Sequence, residues 1–92
     1  MTMILPIKKK WYDMILSGEK KEEYREIKPY YETRLPKLFK EDGRAVITLR
    51  NGYGKACPSR DVLCELEIGE GKIEWGAEPG KEYYILKILM IY

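Results

Sequence analysis

From Asp42 to Tyr92 the chain carries strand patterns and turns marked by glycine or proline, while helical spacing is confined to its first forty residues. This segregation constrains the fold more than any other feature. A parallel βαβ sheet needs a helical crossover between successive strands, whereas helices grouped in one half suit a small mixed barrel. Ala45, Ile47 and Leu49 face one way while Arg44, Val46, Thr48 and Arg50 face the other, a half-buried strand following the Asp42-Gly43 turn. Val62, Cys64, Leu66 and Ile68 alternate with Glu65 and Glu67 and predict a second amphipathic strand. Between them, residues 51–60 contain Gly52, Gly54, Pro58 and Ser59 and read as a loop. Gly69, Gly71, Gly76, Pro79 and Gly80 mark turns around a short strand near Lys72–Trp75. The apolar run ending at Tyr92 predicts a buried final strand over residues 82–92.

In the first half, Met3–Ile7 is short and apolar, and Pro6 places it at a sheet edge or ends it nearby. Trp11, Met14 and Ile15 stand at helical spacing within residues 9–17, and Gly18 sits where a left-handed C-cap is wanted. Residues 20–27 alternate with charge on both faces, an unusual strand. Pro29 suits the first turn of a second helix over residues 30–35, and Pro36 either breaks it or starts a further turn through Phe39. The expected fold is α+β: one domain over residues 1–92, a small mixed β-barrel of five to six strands with two or three short helices in the first half.

With 92 residues, 45% of them hydrophobic, eight Tyr and two Trp, the chain is sized and composed for one core rather than for disorder. The apolar run 83–92 contains Lys87 and falls well short of the ~20 residues that cross a bilayer, so no membrane association is expected. Positive charge follows the opening apolar stretch at Lys8, Lys9 and Lys10, the reverse of a signal peptide. Cys57 and Cys64 form neither a disulfide framework nor, without any histidine, a zinc pattern; a reduced cytoplasmic setting with no metal and no cofactor is expected. The lack of histidine also removes every Ser-His and Cys-His nucleophile pair. Net charge is only +2, but residues 1–40 hold ten Lys and Arg against six acids, so phosphate contacts belong in the first half.

The densest charge cluster is Gly18-Glu19-Lys20-Lys21-Glu22-Glu23-Tyr24-Arg25. Glu23 and Arg25 share a strand face by period two, with Lys20 arriving from the helix end. Lys and Arg grip phosphates or base edges, and a Glu accepts from an amino group or, when desolvated, serves as a base. Charge patterning alone reads the same segment as a solvated edge strand with cross-strand ion pairs. The spacing G-x-K-x-x-E-x-R, carried by Gly18, Lys20, Glu23 and Arg25, resembles the signature of the ASCH (activating signal cointegrator homology) family, relatives of the PUA RNA-binding domains. Ile4-Leu5-Pro6-Ile7 and the stretch Trp11 to Ser17 are similar to that family's opening strand and helix. Arg50-Asn51-Gly52-Tyr53 and Glu74-Trp75-Gly76-Ala77 resemble segments of small bacterial and phage members.

The resemblance implies a PUA-like barrel with a cleft beside the first helix, lined by Lys20, Glu23 and Arg25, where RNA or a nucleotide sits. Independently of it, Arg50, Asn51, Tyr53 and Ser59 are candidates for the opposite wall, since that loop combines glycine-permitted backbone approach with an aromatic face and polar tips. The alternative is that Asn51-Gly52 only turns the chain. Tyr53 and then Trp75 are the aromatics best placed to stack a base, with Tyr30 and Tyr31 behind them, and Trp11, Tyr83 and Tyr84 read as packing. Some ASCH relatives resemble amidohydrolases of acylated cytidine that use Lys, Thr and Glu, and others resemble ribonucleases; Lys20 matches the Lys, but Glu23 falls at the Thr position, so the hydroxyl nucleophile is missing. Should the chain be an enzyme, Lys20 and Glu23 would be its catalytic residues, with Glu65, Glu67 or Glu74 as a second carboxylate. A nonenzymatic protein-interaction role remains as a third class. Oligomeric state is open.

Overall fold

In a computed structural model, residues 3–92 are described; Met1 and Thr2 of the opening apolar stretch lie outside them. The elements run β1 (Met3–Ile7), α1 (Lys9–Leu16), β2 (Glu22–Glu26), α2 (Pro29–Glu32), α3 (Leu35–Leu38), β3 (Arg44–Asn51), β4 (Ser59–Glu70), a 3-10 turn (Ile73–Trp75) and β5 (Glu82–Ile91). The five strands form one mixed sheet in the order β1-β3-β4-β5-β2. Only β1 and β3 run parallel; the remaining neighbours are antiparallel. The chain is thus α+β, a curled sheet of five strands with its helices in the first half.

β1 and β2 are the two sheet edges, and the sheet curls until they approach each other. Arg25 on β2 donates through Nη2 to the Pro6 carbonyl of β1 at 2.9 Å. The position of Pro6 follows from parallel pairing. Ile7 accepts from the Gly52 amide on the β3 side, so its neighbour Pro6 turns its backbone to the open edge, where a missing N–H disturbs no ladder. The curl encloses a core of Leu5, Ile7, Ile47, Leu49, Val62, Cys64, Tyr84 and Leu86, closed by Tyr12 and Ile15 of α1 with Leu35 and Phe39 around α3.

Several boundaries differ from the sequence expectation, each for a local reason. β2 begins at Glu22, because Lys20 still donates its amide to the Met14 carbonyl at 2.9 Å in the turn that leaves α1. Gly18 adopts φ 85° there, the left-handed geometry its position suggests. The break between the second and third helices falls at Thr33 and Arg34, and Pro36 lies in the first turn of α3. The segment near Lys72–Trp75 is not a strand but a 3-10 turn ended by Gly76 at φ 103°. β4 starts at Ser59, so Ser59 is a strand residue opposite Arg50, not part of the loop. Ile68 keeps the parity of Val62 and Cys64 but lies beyond the core and is 61% exposed. The final strand is buried over Tyr83, Tyr84, Ile85 and Leu86 but not beyond. Leu63 pairs with Met90 and Cys64 with Ile88, so Leu89 is the extra residue of a bulge, and the strand leaves Leu89 and Met90 in solvent.

No helix among the described residues is long and apolar enough to cross a membrane.

Candidate functional site

The octet that follows α1 folds into a buried charge chain rather than a solvated edge. Lys20 is 2% exposed and Glu23 7%. The Lys20 ammonium lies 3.3 Å from Glu23 Oε1, and Arg25 Nη2 lies 3.0 Å from Glu23 Oε2. The remaining Lys20 contacts come from β2 again and from two other elements. Its ammonium donates to the Trp75 carbonyl of the 3-10 turn and stands over the rings of Trp11 on α1 and Tyr24 on β2, 4.9 and 4.8 Å from their centroids. Cation–π attraction and the carboxylate offset the lost hydration. Burial nevertheless dominates and pushes the Lys20 ammonium below the ordinary lysine range, with Glu23 pulling the other way.

Strand parity places the rest. In β2–β5 pairing Glu23 faces Leu86 and Arg25 faces Tyr84, so both acid and base point to the concave side with core residues. Burial pushes the nearby Cys64 thiol up to about 12, and the Glu23 charge adds to the rise. Tyr24, on the other face, donates to Glu22 at 2.7 Å and accepts the Lys72 amide at 2.9 Å, and burial raises its hydroxyl above the ordinary range. The bond from the Lys72 amide, with that from Lys20 to the Trp75 carbonyl, ties the 71–81 segment over Lys20.

Above this chain opens a cleft of about 330 Å³. Glu23 and Arg25 form its floor, Lys8, Lys9 and Trp11 one side, and Asn51, Gly52 and Tyr53 the other. Tyr53 is 88% exposed. Asn51 reaches the cleft because it continues the inward parity of Ile47 and Leu49 and sits opposite Ile7. Arg25 Nε is shielded from solvent and has no hydrogen-bond partner among the described residues. A buried donor in that state costs about 1–3 kcal/mol.

The sequence-predicted residues therefore divide into four groups. Glu23, Arg25, Asn51 and Tyr53 line one cleft. Lys20 is beneath it, buried behind Glu23. Arg50 and Ser59 face each other across β3 and β4 on the opposite parity and do not line the cleft. Trp75 contributes its carbonyl to Lys20 rather than a stacking ring to the cleft, and its own ring takes the Lys72 ammonium at 4.5 Å. Of the proposed second carboxylates, Glu65 pairs with Arg44 at 3.1 Å, away from the cleft. Sequence reasoning missed Lys8, Lys9 and Tyr24 and read Trp11 as packing alone. The signal for Trp11 was its place one residue before the core residue Tyr12, and its ring meets the octet through Lys20.

Among the described residues no three or more His, Cys, Asp or Glu side chains cluster so as to hold a metal ion. A larger groove of about 1150 Å³ lies along the other end of β1, lined by Met3, Ile4 and residues of the α2–α3 region, and contains none of the octet. No family model, no curated protein and no solved structure matches the chain.

Proposed function

We propose that this chain is an ASCH-type, PUA-like module that binds RNA or a nucleotide in the cleft beside α1. The observation that carries the reading is Arg25. Glu23 and the Pro6 carbonyl fix its guanidinium at the floor of the cleft, where the side chain keeps 17% exposure. A fixed guanidinium suits a phosphate or a base edge, since its donors are already oriented. Lys8 and Lys9 add positive charge at the rim, although Lys9 is shared with Asp13 at 2.6 Å. Tyr53 offers an exposed ring across the cleft for a base. The modest net charge of +2 favours a compact ligand over nonspecific duplex binding. Two free cysteines accord with a reducing, cytoplasmic setting.

Hydrolysis is the second reading, favoured by one observation: a desolvated lysine beside a buried carboxylate at the base of a cleft, a combination that recurs at functional sites. Lys20 lies behind Glu23 rather than in the cleft lining, so its reach to a substrate would require the 71–81 segment to move.

The test is a crosspeak-shift titration of labelled protein with nucleoside monophosphates and short single-stranded RNAs, with product analysis on the same samples. Saturable shifts at residues 8–11, 23–25 and 51–53, weakened at least tenfold by Arg25→Met, are expected. A product that disappears with Lys20→Met would establish the enzyme instead, and no shift with any ligand would overturn both readings.

A further inference from the structure

Resting on the nucleotide-binding reading, we propose that the cleft is one end of a track, and that the ligand is a single-stranded oligonucleotide running along the edge of β1 into the larger groove. Both concavities are walled by the same strand. Pro6 and Ile7 line the cleft, and Met3 and Ile4 line the groove. At about 3.3 Å per strand residue, Ile4 and Ile7 are roughly 10 Å apart. The strand between them is a sheet edge, with Ile4 47% exposed.

The groove offers what a flexible nucleic-acid strand recognises. Tyr30 is 54% exposed, and Arg34 lies with its guanidinium carbon 3.8 Å from the ring centroid. Arg34 is held there by its bonds to the Tyr30 carbonyl at 2.8 Å and Thr33 Oγ1 at 3.2 Å. This is a preorganised stacking surface carrying a positive charge. Arg34 and Lys37 have no carboxylate partner among the described residues, unlike Arg44, which is paired with Glu65. Glu41 and Asp42 line the same groove, and Asp42 is engaged as acceptor of the Arg44 amide. A phosphate backbone is therefore directed to the Arg34 and Lys37 side, with a base on Tyr30. The groove has more than three times the volume of the cleft, more room than one nucleotide fills. Site sizes from about four nucleotides are usual for small barrel domains that bind single strands.

The experiment compares uridine monophosphate with a random-sequence RNA hexamer, by the same titration and by anisotropy of labelled hexamer, on the wild-type protein, Tyr30→Ala and a Lys37→Gln variant. The expected result is hexamer binding at least tenfold tighter than the mononucleotide. Tyr30→Ala should weaken the hexamer about tenfold and Lys37→Gln about threefold, both leaving the mononucleotide unchanged. Equal affinity for the two ligands overturns the track and leaves the cleft reading standing. Tighter hexamer binding that neither variant changes also overturns it, since the strand then runs elsewhere. Failure of both ligands to bind removes the track and the cleft reading together. Tyr30 and Lys37 lie outside the core, so unchanged amide spectra accompany the expected outcome.

Discussion

Replacing Lys20 with Met removes one ammonium while keeping a flexible apolar chain of similar length, so the substitution isolates the buried charge from the packing. In the native protein that ammonium meets Glu23 at 3.3 Å, the Trp75 carbonyl, and the faces of Trp11 and Tyr24. Removing one partner of a buried ion pair costs about 3–5 kcal/mol, because the other charge is left uncompensated. Glu23 keeps Arg25 at 3.0 Å, which puts the expectation at the low end, about 3 kcal/mol. Domains of this size have about 5–15 kcal/mol in total and lose about 4–8 °C of melting temperature per kcal/mol, so the midpoint should fall by roughly 12–24 °C. Urea unfolding followed by tryptophan fluorescence reads this directly, since Trp11 and Trp75 both flank Lys20. The denaturant slope should be unchanged if only stability moves. Adding Glu23→Leu to Lys20→Met removes the stranded carboxylate, so the double variant should cost at least about 1 kcal/mol less than the sum of the two single changes. A Lys20→Met cost below about 1 kcal/mol, or strict additivity in the double variant, would refute the reasoning that this pair is desolvated and mutually dependent.

Two further predictions concern the surroundings of that pair. Cys64 has its thiol raised from 9.0 to about 12 by burial and by Glu23; the folded state therefore holds the proton longer than the unfolded state, and stability should fall as pH rises from 9 toward 12, by about 1.4 kcal/mol per unit. Tyr24, raised likewise, adds a loss above pH 10 to any variant that keeps it, so urea midpoints should fall more steeply in the wild type than in Cys64→Val, and parallel pH profiles would contradict it. Gly76→Ala places a methyl 3.0 Å from the Trp11 ring at φ 103°, whereas Gly43→Ala at φ 76° meets nothing within 4 Å. Both changes carry backbone strain of about 1–2 kcal/mol, so the thermal midpoint of Gly76→Ala should fall further, and equal losses would mean that the turn over Lys20 gives way freely.

What could be read from the sequence was what depends on short-range periodicity. The alternations at 45–49 and 62–66 returned as β3 and β4 because each buries one face. Gly18 ended α1 because its left-handed geometry is a property of the residue. Long-range pairing was not legible. Nothing local to Lys20 announces that the Trp75 carbonyl and the Trp11 ring will enclose it, since those partners come from elements 55 residues downstream and nine upstream. The charge pattern of the octet therefore suggested a solvated edge, and tertiary contact reversed that for Lys20 and Glu23 while leaving Glu26 and Lys81 as an exposed pair at 2.8 Å. The bulge at Leu89 was equally silent, because an apolar run has no alternation from which a phase shift can be detected.

The spacing K-x-x-E-x-R now has a physical account. Three positions lead from Lys20, still in the turn leaving α1, to Glu23, the first inward position of β2 with a core partner, and two more bring Arg25 to the same face. Lys20 and Arg25 each take one oxygen of Glu23. The carboxylate thus neutralises one cation and orients the other, leaving a net positive charge whose accessible end is Arg25, 17% exposed, rather than Lys20 at 1%. With one cation on each oxygen, Glu23 holds Arg25 in place, and the positive group that reaches the cleft is a fixed guanidinium.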